Sequence, residues 1–234
     1  MRTFFPFGPP IGHAELPKEM IDDLNKGCDK IAKDKELSKS EDWSQNLVGN
    51  VEQEILIPKD ILNKWGNWFA TQVKAYIAQY LAQMYIPEQQ LFKTEMSYEQ
   101  LVKNVGAKTS ITVLSAWYVR SFAGDYNPIH THTECELTCV GFLKTPDWSK
   151  EAKKENKLFS DSGNLQLISN GGGNNVRHFF ENDTIRFLPK VGNWYLFPAN
   201  IRHQVYPFSS KSERRSFSIN MSTNRFERPG EPSK

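Results

Sequence analysis

The segment Asn127-Pro128-Ile129-His130-Thr131-His132-Thr133-Glu134 sets two imidazoles and a carboxylate at every second position. On an extended strand alternate residues share a face, so His130, His132 and Glu134 point the same way. Such a row suits a divalent transition metal, because the pleat spaces two ligands in advance. A third ligand must come from elsewhere in the fold. His203 is the best candidate: it follows the apolar run Trp194-Tyr195-Leu196-Phe197 and a turn over residues 198–200. One histidine alone is most simply a buried, hydrogen-bonded side chain. Three together, two of them at strand spacing, point to a metal site, with either His130 and His132 or His132 and Glu134 beside His203.

A second pattern lies downstream. In Arg214-Arg215-Ser216-Phe217-Ser218-Ile219-Asn220, polar and apolar residues alternate. Arg214, Ser216, Ser218 and Asn220 share one face, and Arg215, Phe217 and Ile219 the other. A guanidinium with a hydroxyl two residues on, facing an enclosed interior, makes a carboxylate clamp, because the planar fork matches a carboxylate and the serine adds a donor. Arg215, on the opposite face, reads as an ordinary surface cation.

These residues need a scaffold that brings distant strand ends together. From about residue 108 onward, short runs rich in β-branched and aromatic residues alternate with turn residues, at 110–122, 128–135, 137–143, 164–169, 184–187, 193–197, 203–206 and 214–221. Eight strands without intervening helices predict an antiparallel sandwich or barrel such as a jelly roll. The first third reads helical instead. Pro17 can open a helix with Met20, Leu24, Cys28 and Ile31 on one stripe, whereas residues 34–50 read as a polar loop and 54–57 as a short extended piece. Asp60 then caps a long helix whose apolar positions, among them Ile61, Trp65, Trp68, Phe69, Val73 and Tyr76, follow three-and-four spacing until Pro87. One buried face on such a helix predicts a brace packed on the sheet. The fold class expected is therefore mainly β with a helical N-terminal part (α+β). Residues 1–107 form a helical extension on the barrel, 108–221 the jelly-roll core and 222–234 a flexible tail, all in one domain.

Composition excludes several functions. The 234 residues carry 29 Lys+Arg against 27 Asp+Glu, a net charge of +2. No global field therefore draws the chain to nucleic acid or to an acidic membrane. Cys28, Cys135 and Cys139 do not make a disulfide framework and read as reduced thiols in a cytosol. The opening MRTFFPFGPPIG is broken by prolines too early for a signal peptide, and no apolar stretch is long enough to span a membrane. The glycine run at 171–173 lacks the strand–turn–helix context of a phosphate loop.

Taken together, Trp117-Tyr118-Val119-Arg120, His130-Thr131-His132, Leu137-Thr138-Cys139-Val140-Gly141-Phe142-Leu143, residues 189–198, His203 and residues 214–220 resemble the non-haem iron(II)/2-oxoglutarate-dependent oxygenases. More narrowly they look like a group of these enzymes common in marine bacteria and their phages. The resemblance covers roughly residues 110–221. It implies a double-stranded β-helix (jelly roll), bound Fe(II), and 2-oxoglutarate as a small-molecule cosubstrate. It also implies hydroxylation of a prime substrate, whose identity it leaves open, with release of succinate and CO2 in a host cytosol. By its register, His130, His132 and His203 are the metal ligands, with Glu134 as the alternative carboxylate. Arg214 and Ser216 hold the cosubstrate, and Trp117, Tyr118, Thr138 and Asn220 are candidate pocket residues. Two departures stand out: His132 occupies the acid's usual place, and Cys139, where that group often has glycine, would fill part of the barrel. Two rival readings remain at this level. One is a cupin-like three-histidine metal protein, either an isomerase or a dioxygenase without 2-oxoglutarate. The other is a non-catalytic jelly roll that serves binding or structure.

Overall fold

Pro17 opens the first helix as its spacing predicts. Helix α1 (Lys18–Lys33) buries Met20, Leu24, Cys28 and Ile31 as a single stripe. The polar stretch after it is not all loop. Asp34 accepts hydrogen bonds from the Glu36 and Leu37 amides and so caps a short helix, α2 (Lys35–Ser40), that the composition alone does not reveal. Helix α3 (Lys59–Phe92) carries the expected brace, with Phe69, Val73 and Tyr76 buried. It runs past Pro87, where the sequence pattern predicts a stop; a proline removes one ladder bond and need not end a helix with sound turns on either side. Helix α4 (Tyr98–Lys108) follows.

In this computed structural model of the protein, the residues described are 1–4, 10–92, 98–154, 161–168 and 184–223. The glycine run, residues 224–234 of the expected tail and His178 lie outside them, whereas Ser222 and Thr223 of that tail belong to the last strand. No helix among the described residues is long and apolar enough to cross a membrane.

Among the described residues, eleven strands make two antiparallel sheets. They are β1 (Arg2–Phe4), β2 (Ile11–Glu15), β3 (Gln53–Leu56), β4 (Ile111–Ser121), β5 (Asn127–His130), β6 (Leu137–Lys144), β7 (Leu165–Ile168), β8 (Thr184–Phe187), β9 (Asn193–Pro198), β10 (Arg202–Val205) and β11 (Arg214–Thr223). The larger sheet runs β1-β2-β9-β6-β11-β4-β3 and the smaller β5-β10-β7-β8. This is the predicted jelly roll, braced by helices. The segment before residue 108 is more than a helical extension, because β1, β2 and β3 extend the larger sheet at both edges. The charged insert at 147–157 forms a short helix, α5 (Trp148–Lys154).

Two cores hold these layers. One lies between the larger sheet and the helices, where Trp68 and Phe69 meet Trp194 and Phe217 edge-on. Gly141 gives the Phe217 ring its space, since a Cβ there would sit 2.2 Å from it. Cys139 belongs to this helix-side core and not to the barrel interior, because the pleat turns it away from Thr138 and Val140. The other core lies between the sheets and includes Phe142, Leu165, Leu167 and Phe197.

Strand β11 is central to the larger sheet and buried on both faces, so its alternation separates two interiors and not core from solvent. The expectation for Arg215 fails for that reason. It is 1% exposed under α1. Its guanidinium donates to Asp29 at 2.6 Å, to Glu213 at 2.8 and 2.9 Å, and to Asn25. Lysine cannot reproduce that fork. Arg215→Lys is expected to lose about 2 kcal/mol or more of stability, read as a lower urea midpoint. An unchanged midpoint would show that the fork contributes nothing.

Candidate metal centre

Three elements deliver the histidines. His130 ends β5, which pairs with β10 so that His130 and His203 are register partners. His132 lies just past the strand end, where its amide donates to the Ala199 carbonyl. One ring nitrogen from each of the three can be chosen so that all lie within 4.8 Å of one another.

Hydrogen bonds on the far side of each ring fix its orientation. Nδ1 of His130 is 2.7 Å from the Pro128 carbonyl oxygen, and Nδ1 of His203 is 2.9 Å from that of Ile201. His132 Nδ1 is 2.6 Å from Asn220 Oδ1. A carbonyl oxygen can only accept, so each Nδ1 carries the proton and each Nε2 keeps its lone pair. His132 Nε2 and His203 Nε2 then face one another at 3.1 Å, two acceptors without a donor between them. A cation resolves that conflict. A metal ion, whose bonds to imidazole are about 2.1 Å long, would be held by both lone pairs at once. Burial also keeps the rings neutral, as ligands must be: His132 is pushed down to about 4, while His203 is held well below its ordinary value and His130 is lowered. Trp117 stacks on His132 with centroids 5.9 Å apart.

The same cavity holds Arg214, Ser216, Ser218 and Asn220, the predicted face of β11. Arg214 is 1% exposed, and burial lowers its guanidinium to about 10. It donates to the Gly163 carbonyl at 3.1 Å and to Ser216 Oγ at 3.4 Å, and lies over the Phe142 ring. Its Nη2 has no partner among the described residues. Among the described residues no carboxylate pairs with it, so a buried cation faces the cavity with a donor to spare.

Residues 115–220 match the model of the family described as "Putative 2OG-Fe(II) oxygenase". The matched span lies within the jelly roll. The matched span takes in all three histidines, Arg214 and Ser216. A prolyl-4-hydroxylase structure from Pseudomonas putida shares the fold, with a TM-score of 0.51, 14% identity, and coverage of 92% of this chain and 93% of that one. A 2OG-Fe(II) oxygenase-family oxidoreductase from Burkholderia pseudomallei matches at TM-score 0.37 and 15% identity over 58% of this chain; the chain spans 55% of its length. A viral collagen prolyl hydroxylase from Paramecium Bursaria Chlorella virus-1, in its 2OG complex, matches at TM-score 0.42 and 10% identity, covering 90% of this chain and 94% of that one. No curated protein matches. The family and the three-histidine set imply Fe(II) and 2-oxoglutarate.

Three sequence expectations need correction. Glu134 is exposed at a turn with φ of 60° and lies outside the histidine cluster, because the extended strand ends at His130. Tyr118 faces the helices and not the cavity: the pleat that turns Trp117 inward turns its neighbour outward, against Gly27 and Ile61. Thr138 sits behind His132, its Oγ1 3.4 Å from Nδ1, and does not line the cavity, whereas Asn220 lines the cavity as expected and also orients that ring.

Sequence reasoning does not point to several residues of the cavity, and Glu54 is the one among them that carries charge. Glu54 of β3 is 1% exposed and lines the cavity. The signal was an acid at the head of the apolar run Glu54-Ile55-Leu56-Ile57. Burial above all, with the nearby Asp42 charge, pushes its carboxyl from 4.5 up to about 7, against a hydrogen bond from the Asn127 side chain. The fold thus favours the neutral acid. The stability this contributes is full below about pH 4.5 and lost as pH rises through 7, to a limit of about 3 kcal/mol. Glu54→Gln is expected to match the unaltered chain in urea at pH 5 and to exceed it by about 1–3 kcal/mol at pH 8. A difference that does not change with pH would contradict the desolvation.

Proposed function

We propose that the chain is an Fe(II)- and 2-oxoglutarate-dependent dioxygenase that hydroxylates a prime substrate. One observation carries the reading: three neutral imidazoles with converging lone pairs share a cavity with a buried guanidinium that lacks an anion. His130, His132 and His203 hold the metal. Arg214, with Ser216 beside it, takes the distal carboxylate of 2-oxoglutarate through charge-assisted hydrogen bonds. Bound there, iron and cosubstrate supply oxidative chemistry, in which dioxygen is consumed, the keto acid leaves as succinate and CO2, and a C–H bond of the substrate is hydroxylated. The chain's own contribution is positioning. Asn220 and the Pro128 and Ile201 carbonyls hold the imidazoles in the required tautomer. Trp117, Val140, Leu165 and Val205 line the cavity with apolar surface that excludes water.

The test is succinate formation from 2-oxoglutarate in air, with and without added Fe(II). The all-imidazole donor set favours a second reading, the cupin-like metal protein, since oxygenases of this kind usually add one carboxylate. Metal binding without 2-oxoglutarate turnover supports that second reading and overturns the first.

A further inference from the structure

The cavity has two charged walls. Arg214 and Ser216 lie on β11; Glu54 lies on the edge strand β3, where it pairs with Val119, which pairs in turn with Ser216. At about 4.8 Å per strand, Glu54 and Ser216 stand about 10 Å apart along one row of the sheet. Asn127 occupies one part of the Glu54 carboxyl, and Oε2 has no partner among the described residues. A buried carboxylate oxygen without a donor is costly to keep. It neither pairs with Arg214 nor belongs to the histidine cluster, so nothing in the proposed iron and 2-oxoglutarate chemistry uses it.

We propose that Glu54 is the recognition group for the prime substrate, and that this substrate presents a protonated amine or guanidine to it. The inference rests on the oxygenase reading, because it assigns the remaining wall of the same cavity. Three observations favour a cation over a neutral donor. The free oxygen is an acceptor in a water-poor site, where a charge-assisted bond is strongest. Asp42 adds a second negative charge nearby. The cavity's own cation, Arg214, stands on the other wall and pairs with the cosubstrate in the proposed chemistry. Leu47 and Val48 also line the cavity, and Val48 is 53% exposed, so an apolar stem has a surface to lie on between solvent and Glu54.

The experiment compares two probes of equal chain length, hexylammonium and hexan-1-ol. Each is titrated calorimetrically into the full chain loaded with Fe(II) and 2-oxoglutarate without oxygen at pH 8. Hexylammonium is expected to bind at least about tenfold tighter. In Glu54→Gln, which keeps the shape of the side chain, the two probes are expected to bind within about twofold of each other, while 2-oxoglutarate affinity stays unchanged. Equal affinities in the unaltered chain, no binding of either probe, or a preference that survives Glu54→Gln each overturns the assignment; the first two need no variant to fold. Binding of 2-oxoglutarate is measured separately. Its absence in the unaltered chain defeats the oxygenase reading, whereas its presence without a cation preference defeats only the role of Glu54.

Discussion

His203→Ala is expected to bind iron at least about a hundredfold more weakly than the unaltered chain and to form no succinate. His203 is buried, in ring contact with His130 at 4.1 Å between centroids and with His132 at 5.0 Å. Loss of a partner that merely orients a ligand costs 10- to 100-fold in metal affinity, and loss of a ligand exceeds that. Two neutral donors on a divalent ion leave no third point to fix it. His13 stacks on Tyr195 away from the cluster, so His13→Ala serves as the control with iron binding retained. Glu134→Gln is expected to leave iron binding intact as well, whereas His130→Ala loses it. Calorimetric iron titration reads all four, and undiminished binding in His203→Ala would refute the three-histidine centre.

The second large effect concerns Arg214. Arg214→Lys keeps a cation but loses the fork. It is expected to raise the 2-oxoglutarate concentration for half-maximal succinate formation about 10- to 100-fold, the equivalent of about 1.5–3 kcal/mol, with iron affinity unchanged. Arg214→Met is the sharper probe. Without bound anion, Arg214 is a buried cation that no carboxylate among the described residues compensates. Replacement by an apolar side chain of similar length is therefore expected to leave the urea midpoint equal or higher while abolishing 2-oxoglutarate binding. A fall in both together would make Arg214 a structural residue. Arg215 supplies the contrast, because its conservative change is expected to lower stability and leave the 2-oxoglutarate requirement alone.

The two arginines also show what a pattern of residues can and cannot convey. Strand periodicity separates Arg214 from Arg215 correctly, since the pleat allows no other arrangement. It does not say that both faces are covered. Only the packing of α1 over β11 makes Arg215 as buried as its neighbour, and Asn25 and Asp29, which receive it, lie far away in sequence. The histidines were legible because residue type restricts them to few roles. Glu134 departs from its expected place because strand spacing holds only as far as the strand, which ends at His130. Cys139 and Tyr118 lie on the helix-side face of strands that the sequence pattern locates correctly, since the pattern alone does not say which face meets the cavity. The helix stripe of Met20, Leu24, Cys28 and Ile31 was fully readable, whereas β1 and β2 were not, since three and five residues carry too little periodicity to register. Glu54 was hidden for a related reason: its importance comes from a neighbouring oxygen left unbonded, and that is a property of three-dimensional surroundings.

Strand β2 pairs with β9, joining Gly12 to Leu196, and the Arg215 fork reaches back to Asn25 across 190 residues. The sheet therefore has no finished form until its last strands leave the ribosome. An emerging chain can wind α1 and α3 early, but their apolar stripes have no complete surface to cover until residues 193–223 arrive. Contacts of such long sequence separation slow folding, and the intermediate that waits exposes strand edges to other chains. Production of this protein is accordingly expected to be limited by the rate of synthesis and by chaperone supply more than by the stability of the finished molecule.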